Sequence, residues 1–295
     1  MIPTNGSTFS SADIVALLDE EMRSKVMPVV KSLKDEFWVT SADQSVIAGT
    51  VAYQIPYRAM GSTLRDVVLI DTNGNELSLT LYEPTDIKFP VRPVGSPLFQ
   101  YGYYWKDNAI VLWPTTMSNL TSYSLRMKYE RRPNNLVLSS ACSQVTVIAG
   151  NKVTVAAAPA TFGATATYDV INHLPPFNSL GDDCTLSVFS GNDLTFTTLP
   201  TGIAVGDWVC LSMQSPIPQI PYEAFPLLSQ YGVVRALASI GDMSALPEAK
   251  GELSDMVNKF NSLLAPRTEG TPKTLSARNN IFNFSRNING TLGPY

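Results

Sequence analysis

Val67-Val68-Leu69-Ile70-Asp71-Thr72-Asn73-Gly74-Asn75-Glu76-Leu77-Ser78-Leu79-Thr80-Leu81 is the stretch on which the fold turns. Two runs of strand-forming residues flank an Asn-Gly step. That step favours a tight hairpin because both residues accept the positive φ that such turns require. Working outward, Val51-Ala52-Tyr53-Gln54-Ile55 reads as a strand ended by Pro56, which cannot donate to a ladder. Residues 109–113 (Ala-Ile-Val-Leu-Trp) and 123–129 read as a further pair. In the second of these Leu125, Met127 and Tyr129 alternate onto one face. Residues 46–134 are therefore expected to be a β-hairpin region. Tyr101, Tyr103, Tyr104 and Trp105 form a dense aromatic cluster suited to a β-core or an interface.

The period changes to that of a helix on both sides. Ser10 or Ser11 is a fitting N-cap, with Asp13 in the first turn where the helix dipole favours an anion. Ile14, Leu18, Met22, Val26, Val29 and Leu33 follow at helical spacing, and Pro28 is expected to kink the helix or split it in two. After Pro221, Phe225, Leu228, Tyr231 and Ala238 fit one helix that ends near Gly241. Ala249, Leu253, Met256, Phe260 and Leu263 fit another, with Pro247 in its first turn. The expectation is an α+β protein. A helical bundle built from residues 1–45 and 222–265 would carry the β-units.

Residues 135–221 form a segment of different composition. They hold one basic residue, Lys152, and five acidic ones, Asp169, Asp182, Asp183, Asp193 and Asp207, a net charge of −4 that equals the imbalance of the whole chain. Short alternating runs separated by Gly150-Asn151 and Gly191-Asn192 predict an inserted, β-sandwich-like domain. Residues 266–295 lack helical spacing and carry Arg278, Phe282, Phe284 and Arg286. In an extended chain both phenylalanines face one side. The segment reads as an extended C-terminal arm that either stays a solvated, disordered tail or docks on a neighbouring protein by strand addition or arm exchange, and the Phe-x-Phe pair favours docking.

The chain has 295 residues, 44% hydrophobic and 16% charged, and a net charge of −4. This composition folds rather than staying disordered. It argues against a general phosphate-binding surface, which needs clustered Lys and Arg. No apolar run is long enough to span a bilayer, and the first basic residue, Arg23, lies too late for the basic region of a secretory signal. Three cysteines make no disulfide framework. The single histidine, His173, would have to be the base of any Ser-His or Cys-His machine, and no nucleophile-elbow, phosphate-loop or dinucleotide-binding motif occurs. We therefore expect no enzyme, no catalytic residue and no cofactor.

Two stretches carry a resemblance. One is Tyr53-Gln54-Ile55-Pro56-Tyr57-Arg58-Ala59-Met60-Gly61-Ser62-Thr63-Leu64-Arg65-Asp66, continuing to Asp71. The other is Asn108 to Pro114, followed by Leu125-Arg126-Met127-Lys128-Tyr129-Glu130-Arg131-Arg132-Pro133-Asn134-Asn135-Leu136-Val137. Together they resemble the head-to-tail adaptor (connector) proteins of short-tailed bacteriophages. The resemblance covers roughly residues 10–137 and the helices after 221, and does not include the 135–221 insert. It implies a virion protein forming a ring of twelve copies between the portal protein and the tail nozzle protein. DNA would pass through without sequence-specific binding, and no membrane would be involved. Arg58, Arg65, Arg131 and Arg132 are then candidates for intersubunit or portal contacts through their guanidinium forks. The competing reading of Arg58 and Arg65, with Asp66 nearby, is a structural ion pair.

Other readings are another neck, collar or tail protein, or a carbohydrate-binding module on the β-insert. Cys142, His173, Cys184 and Cys210 make a Cys₃His set, but their spacings of 31, 11 and 26 residues lack the close pairs of a zinc knuckle. Asp182-Asp183 would point to opposite faces of a regular strand, which disfavours a glycosidase pair.

Overall fold

The computed structural model describes residues 9–47, 49–83, 101–113 and 122–264. Strands make up 37% and helices 28% of it. This overturns the expected architecture: the molecule is mostly β, and its body is not a helical bundle from the two terminal thirds. Among the described residues there are three helices. The first is a rod made of α1 (Ser11–Glu21), a π-helical turn (Met22–Val26) and α2 (Met27–Leu33), followed later by α3 (Phe225–Ile240) and α4 (Leu246–Leu264). Ser10 caps α1 through a capping box with Asp13. Pro28 does not split the rod. It has no N–H to return to Ser24, and the turn just before it widens so that the Met27 N–H reaches the Met22 carbonyl. Gly241, at φ +82°, ends α3 in the left-handed region. The helices pack on one another and on Trp38 and Ile220, around Met22, Val26, Val30, Leu227, Leu228 and Phe260.

The first β-unit is two facing four-stranded sheets. One has the order β1 (Val39–Ser45), β8 (Ser124–Arg131), β3 (Ala59–Ile70), β4 (Glu76–Ser78). The other has the order β2 (Ala52–Gln54), β7 (Ala109–Trp113), β6 (Gly102–Lys106), β5 (Thr80–Leu81). β3 and β4 form the Asn73-Gly74 hairpin, with Val68 opposite Ser78 and Gly74 at φ +86°. The chain then crosses at Leu79 into the second sheet, so 77–81 is two short strands rather than one. Val67, Leu69, Leu125 and Met127 of the first sheet meet Tyr53, Tyr103, Ile110 and Leu112 of the second in a shared core. Tyr103 lies in that core while Trp105 stands exposed. The expected pairing of 109–113 with 123–129 does not form. β7 pairs with β2 and β6, and β8 pairs with β1 and β3. Alternation marks a strand and its buried face, but not the strand beside it.

The acidic insert is a closed six-stranded barrel rather than a sandwich. Around the barrel the order is β10 (Ser143–Ala149), β11 (Lys152–Val155), β14 (Asp193–Phe196), β13 (Ser179–Ser190), β12 (Thr167–Ile171), β15 (Trp208–Leu211). β12, β13 and β14 follow one another, and β15 returns beside β12, which is a Greek key. Val145, Val153, Tyr168, Val170, Leu194, Phe196 and Val209 fill the interior. Before and after the barrel, β9 (Asn135–Leu136) and β16 (Gln214–Ser215) pair in parallel and bring its two ends together.

Candidate functional site

The densest polar constellation lies where the barrel meets the sheets. In β12 and β15 alternation sends Tyr168, Val170 and Val209 inward. Asp169, Ile171 and Cys210 therefore face outward, against the rest of the chain. β13 adds two carboxylates through a bulge. Tyr168 pairs with Cys184 and Val170 with Gly181, so Asp182 and Asp183 together stand opposite Asp169. Asp183 takes φ +53°. The bulge explains why adjacent residues that a regular strand would point apart are aimed at one target.

That target is two guanidiniums from the first β-unit. Arg58 precedes β3. Its Nη1 and Nη2 donate to the two Asp169 oxygens, each at 2.8 Å. Its Nε and Nη2 donate to Asp183 at 2.8 and 2.6 Å. Arg131 ends β8 and forks onto Asp182 through Nε at 2.8 Å and Nη2 at 2.7 Å. Asn134 joins the pairs, accepting from Arg131 at 3.0 Å and donating to Asp169 at 2.7 Å. Asp169 also accepts the backbone N–H groups of Asp183 and Met213, each at 3.0 Å. Ser212 hydrogen-bonds both Arg58 and Asp183. Arg58 is 3% and Asp169 0% exposed.

Burial opposes the charge on Arg58 and on Asp183, but their partners outweigh it. Burial alone would raise the Asp183 carboxyl; hydrogen bonds from Arg58, Ser212 and Tyr57 instead hold it at about 2. Burial likewise works against the Arg58 cation, and Asp183 and Asp169 push its pKa up. Arg58 and Asp183 are thus held as an ion pair within a densely hydrogen-bonded joint. Gln219 extends it to the helices: its side-chain oxygen accepts from Arg131 at 3.1 Å and from the Asn134 N–H at 2.9 Å. Its carbonyl accepts the Trp38 indole N–H at 2.9 Å.

Arg58 and Arg131 are buried and committed to carboxylates of their own chain, so they do not present free forks to a neighbour. Arg65 bonds Glu130 at 3.0 Å and Asp35 at 2.9 Å, tying β3 to β8 and to the segment after α2. Lys31 completes that group on the other Glu130 oxygen. Asp66 lies 3.5 Å from Lys128 rather than beside either arginine. Arg132 is half-buried, and its N–H donates to the Arg58 carbonyl at 2.7 Å. Arg278, Phe282, Phe284 and Arg286, with the expected arm, lie outside the described residues. Sequence reasoning missed Asp169, Asn134, Ser212 and Gln219. The segregation of acid in 135–221 was the signal available.

The remaining candidates separate. Cys142 and Cys210 share one apolar cluster, Cys184 packs with the barrel core, and His173 bonds Asp207 through Nδ1 at 2.7 Å. Among the described residues no group of three or more His, Cys, Asp or Glu is arranged to hold a metal. Of the insert's five carboxylates, three face Arg58 and Arg131, Asp193 pairs with Lys152, and Asp207 binds His173 and the Ala204 N–H. The acidity of the insert is therefore largely internal. No protein-family model matches the chain, and no curated protein matches it.

Proposed function

We propose that this protein is a non-enzymatic structural subunit of a virion and, more narrowly, a head-to-tail adaptor that forms a ring between portal and tail nozzle. One observation carries the reading. The two stretches that resemble adaptors pair with each other as β3 and β8, Ala59 opposite Arg131, and the arginine at that end of each reaches the barrel. The chemistry of the motif is spent on joining parts of one chain, not on a substrate.

Such a joint suits a subunit that bears load. Bidentate guanidinium–carboxylate pairs fix angle as well as distance. Burial on both sides protects the Arg58–Asp169 pair from the salt screening that weakens surface pairs. α3 adds an association surface of the kind a ring needs. Pro226, Ser229, Val233 and Ile240 line its outer face without a charge, and Met243 stands 72% exposed just beyond.

Mixing the purified chain with purified portal rings and imaging the mixture by electron microscopy tests the reading. The expected result is a ring of this chain seated on the portal. Free subunits beside bare portal rings would overturn it.

A further inference from the structure

β10 and β15 close the barrel through its shortest ladder, two partner pairs, Ser143 with Val209 and Gln144 with Trp208. One step outward the same register sets Cys142 opposite Cys210. Cys142 is extended, at φ −124° and ψ 173°. The Val145 N–H donates to the Asp207 carbonyl at 2.8 Å, so hydrogen-bonded positions fall at 145/207 and 143/209. The Cys142 N–H is used elsewhere, on Ser139. Cys142 and Cys210 are therefore a non-hydrogen-bonded cross-strand pair. In such pairs the Cα atoms approach to about 4.5 Å, within the roughly 4.4–6.8 Å that a disulfide bridges. Both side chains point out of the barrel into one buried cluster with Ile171, Val137 and Trp208. Burial, and then contact with Cys142, pushes the Cys210 thiol up, so Cys210 is a poor nucleophile while the seam is shut.

We infer that Cys142 and Cys210 are the site of a reversible cross-strand disulfide that staples the closing seam of the barrel. The oxidant is a small disulfide such as oxidised glutathione. When the seam opens, one cysteine thiolate attacks it, forming a mixed disulfide and releasing one glutathione. The second cysteine thiolate displaces the other glutathione. Two protein S–H bonds are lost, one S–S bond forms, and the two protons end on the two glutathione thiols. Cys184 stands apart, opposite Tyr168 on β13, its thiol pushed up to about 11 by burial and by Asp169. The inference does not depend on the assembly proposed above.

The test equilibrates the full chain in glutathione buffers from fully reduced to fully oxidised. Acid quenching, alkylation and peptide mapping then follow without reduction. The expected result is a Cys142–Cys210 linked peptide in the oxidised buffers, with Cys184 alkylated. The unfolding temperature of the oxidised form should rise by roughly 5–10 °C, since the bridge closes a long loop. Cys142→Ala and Cys210→Ala should each abolish that rise. Cys184→Ala retains the pair and should keep both link and rise, which leaves the test intact if either other variant fails to fold. Alkylation of both Cys142 and Cys210 in the most oxidising buffer, or a link through Cys184, would overturn the inference.

Discussion

Arg58 and Asp169, separated by 111 residues of chain, meet in a bidentate pair with both N···O distances 2.8 Å. The same guanidinium turns its other edge to Asp183. One side chain from the sheet region thus holds two strands of the barrel, and removing it would leave the buried Asp169 carboxylate without its bidentate partner, with Arg131 4.0 Å away as its remaining cation.

Arg58→Met should therefore destabilise the chain by about 3–5 kcal/mol. Arg58→Lys should recover little of that, because a lysine cannot make two forks. Arg65→Ala, at a solvent-screened pair, should cost far less than Arg58→Met. Chemical denaturation of the three variants checks the ordering. Equal losses for Arg58→Met and Arg65→Ala would refute the special place given to Arg58.

Acid should act through Asp183. Its folded pKa, about 2, lies below the ordinary value of 3.8. The stabilisation it adds is complete above the ordinary value and fades as pH falls toward 2. With the side chain 32% exposed, screening reduces the contribution to about 1–2 kcal/mol. Stability measured from pH 5 to pH 2 should fall in that window, and Asp183→Asn should flatten this component. An unchanged slope in the variant would assign the acid sensitivity to other groups.

The barrel interior offers an independent probe. Tyr168 is wholly buried, and its hydroxyl donates to the Gly163 carbonyl and accepts the Gly163 N–H, both at 2.8 Å. Tyr168→Phe should cost about 1–3 kcal/mol, because both backbone groups of Gly163 lose a partner. Thermal unfolding would show a lower midpoint with the native far-ultraviolet spectrum retained. A neutral outcome would mean that water or a local shift satisfies Gly163.

What could be read from the chain depended on range. Asn73-Gly74, the Ser10 cap and the Gly241 stop act within a few residues, and the hairpin and helix ends follow from them. The buried face of Leu125, Met127 and Tyr129 is equally local. Which strand lies beside β8, and whether β10 meets β15, are settled by contacts across many residues, so periodicity did not reveal the barrel or its closure. Helical stripes were visible, but not how much of the body they would form. Arg58 and Arg131 stood out as motif residues, yet their partners sit in the insert. Only its excess of five carboxylates over one basic residue, Lys152, hinted that most of its carboxylates answered charges elsewhere. The bulge that aims Asp182 and Asp183 together has no sequence mark as plain as an Asn-Gly turn.

The most direct test of the assembly proposal is the copy number of this chain in purified particles, by quantitative mass spectrometry against the portal protein. A ratio near one to one is the predicted result. Absence of the chain from particles would contradict the proposal outright.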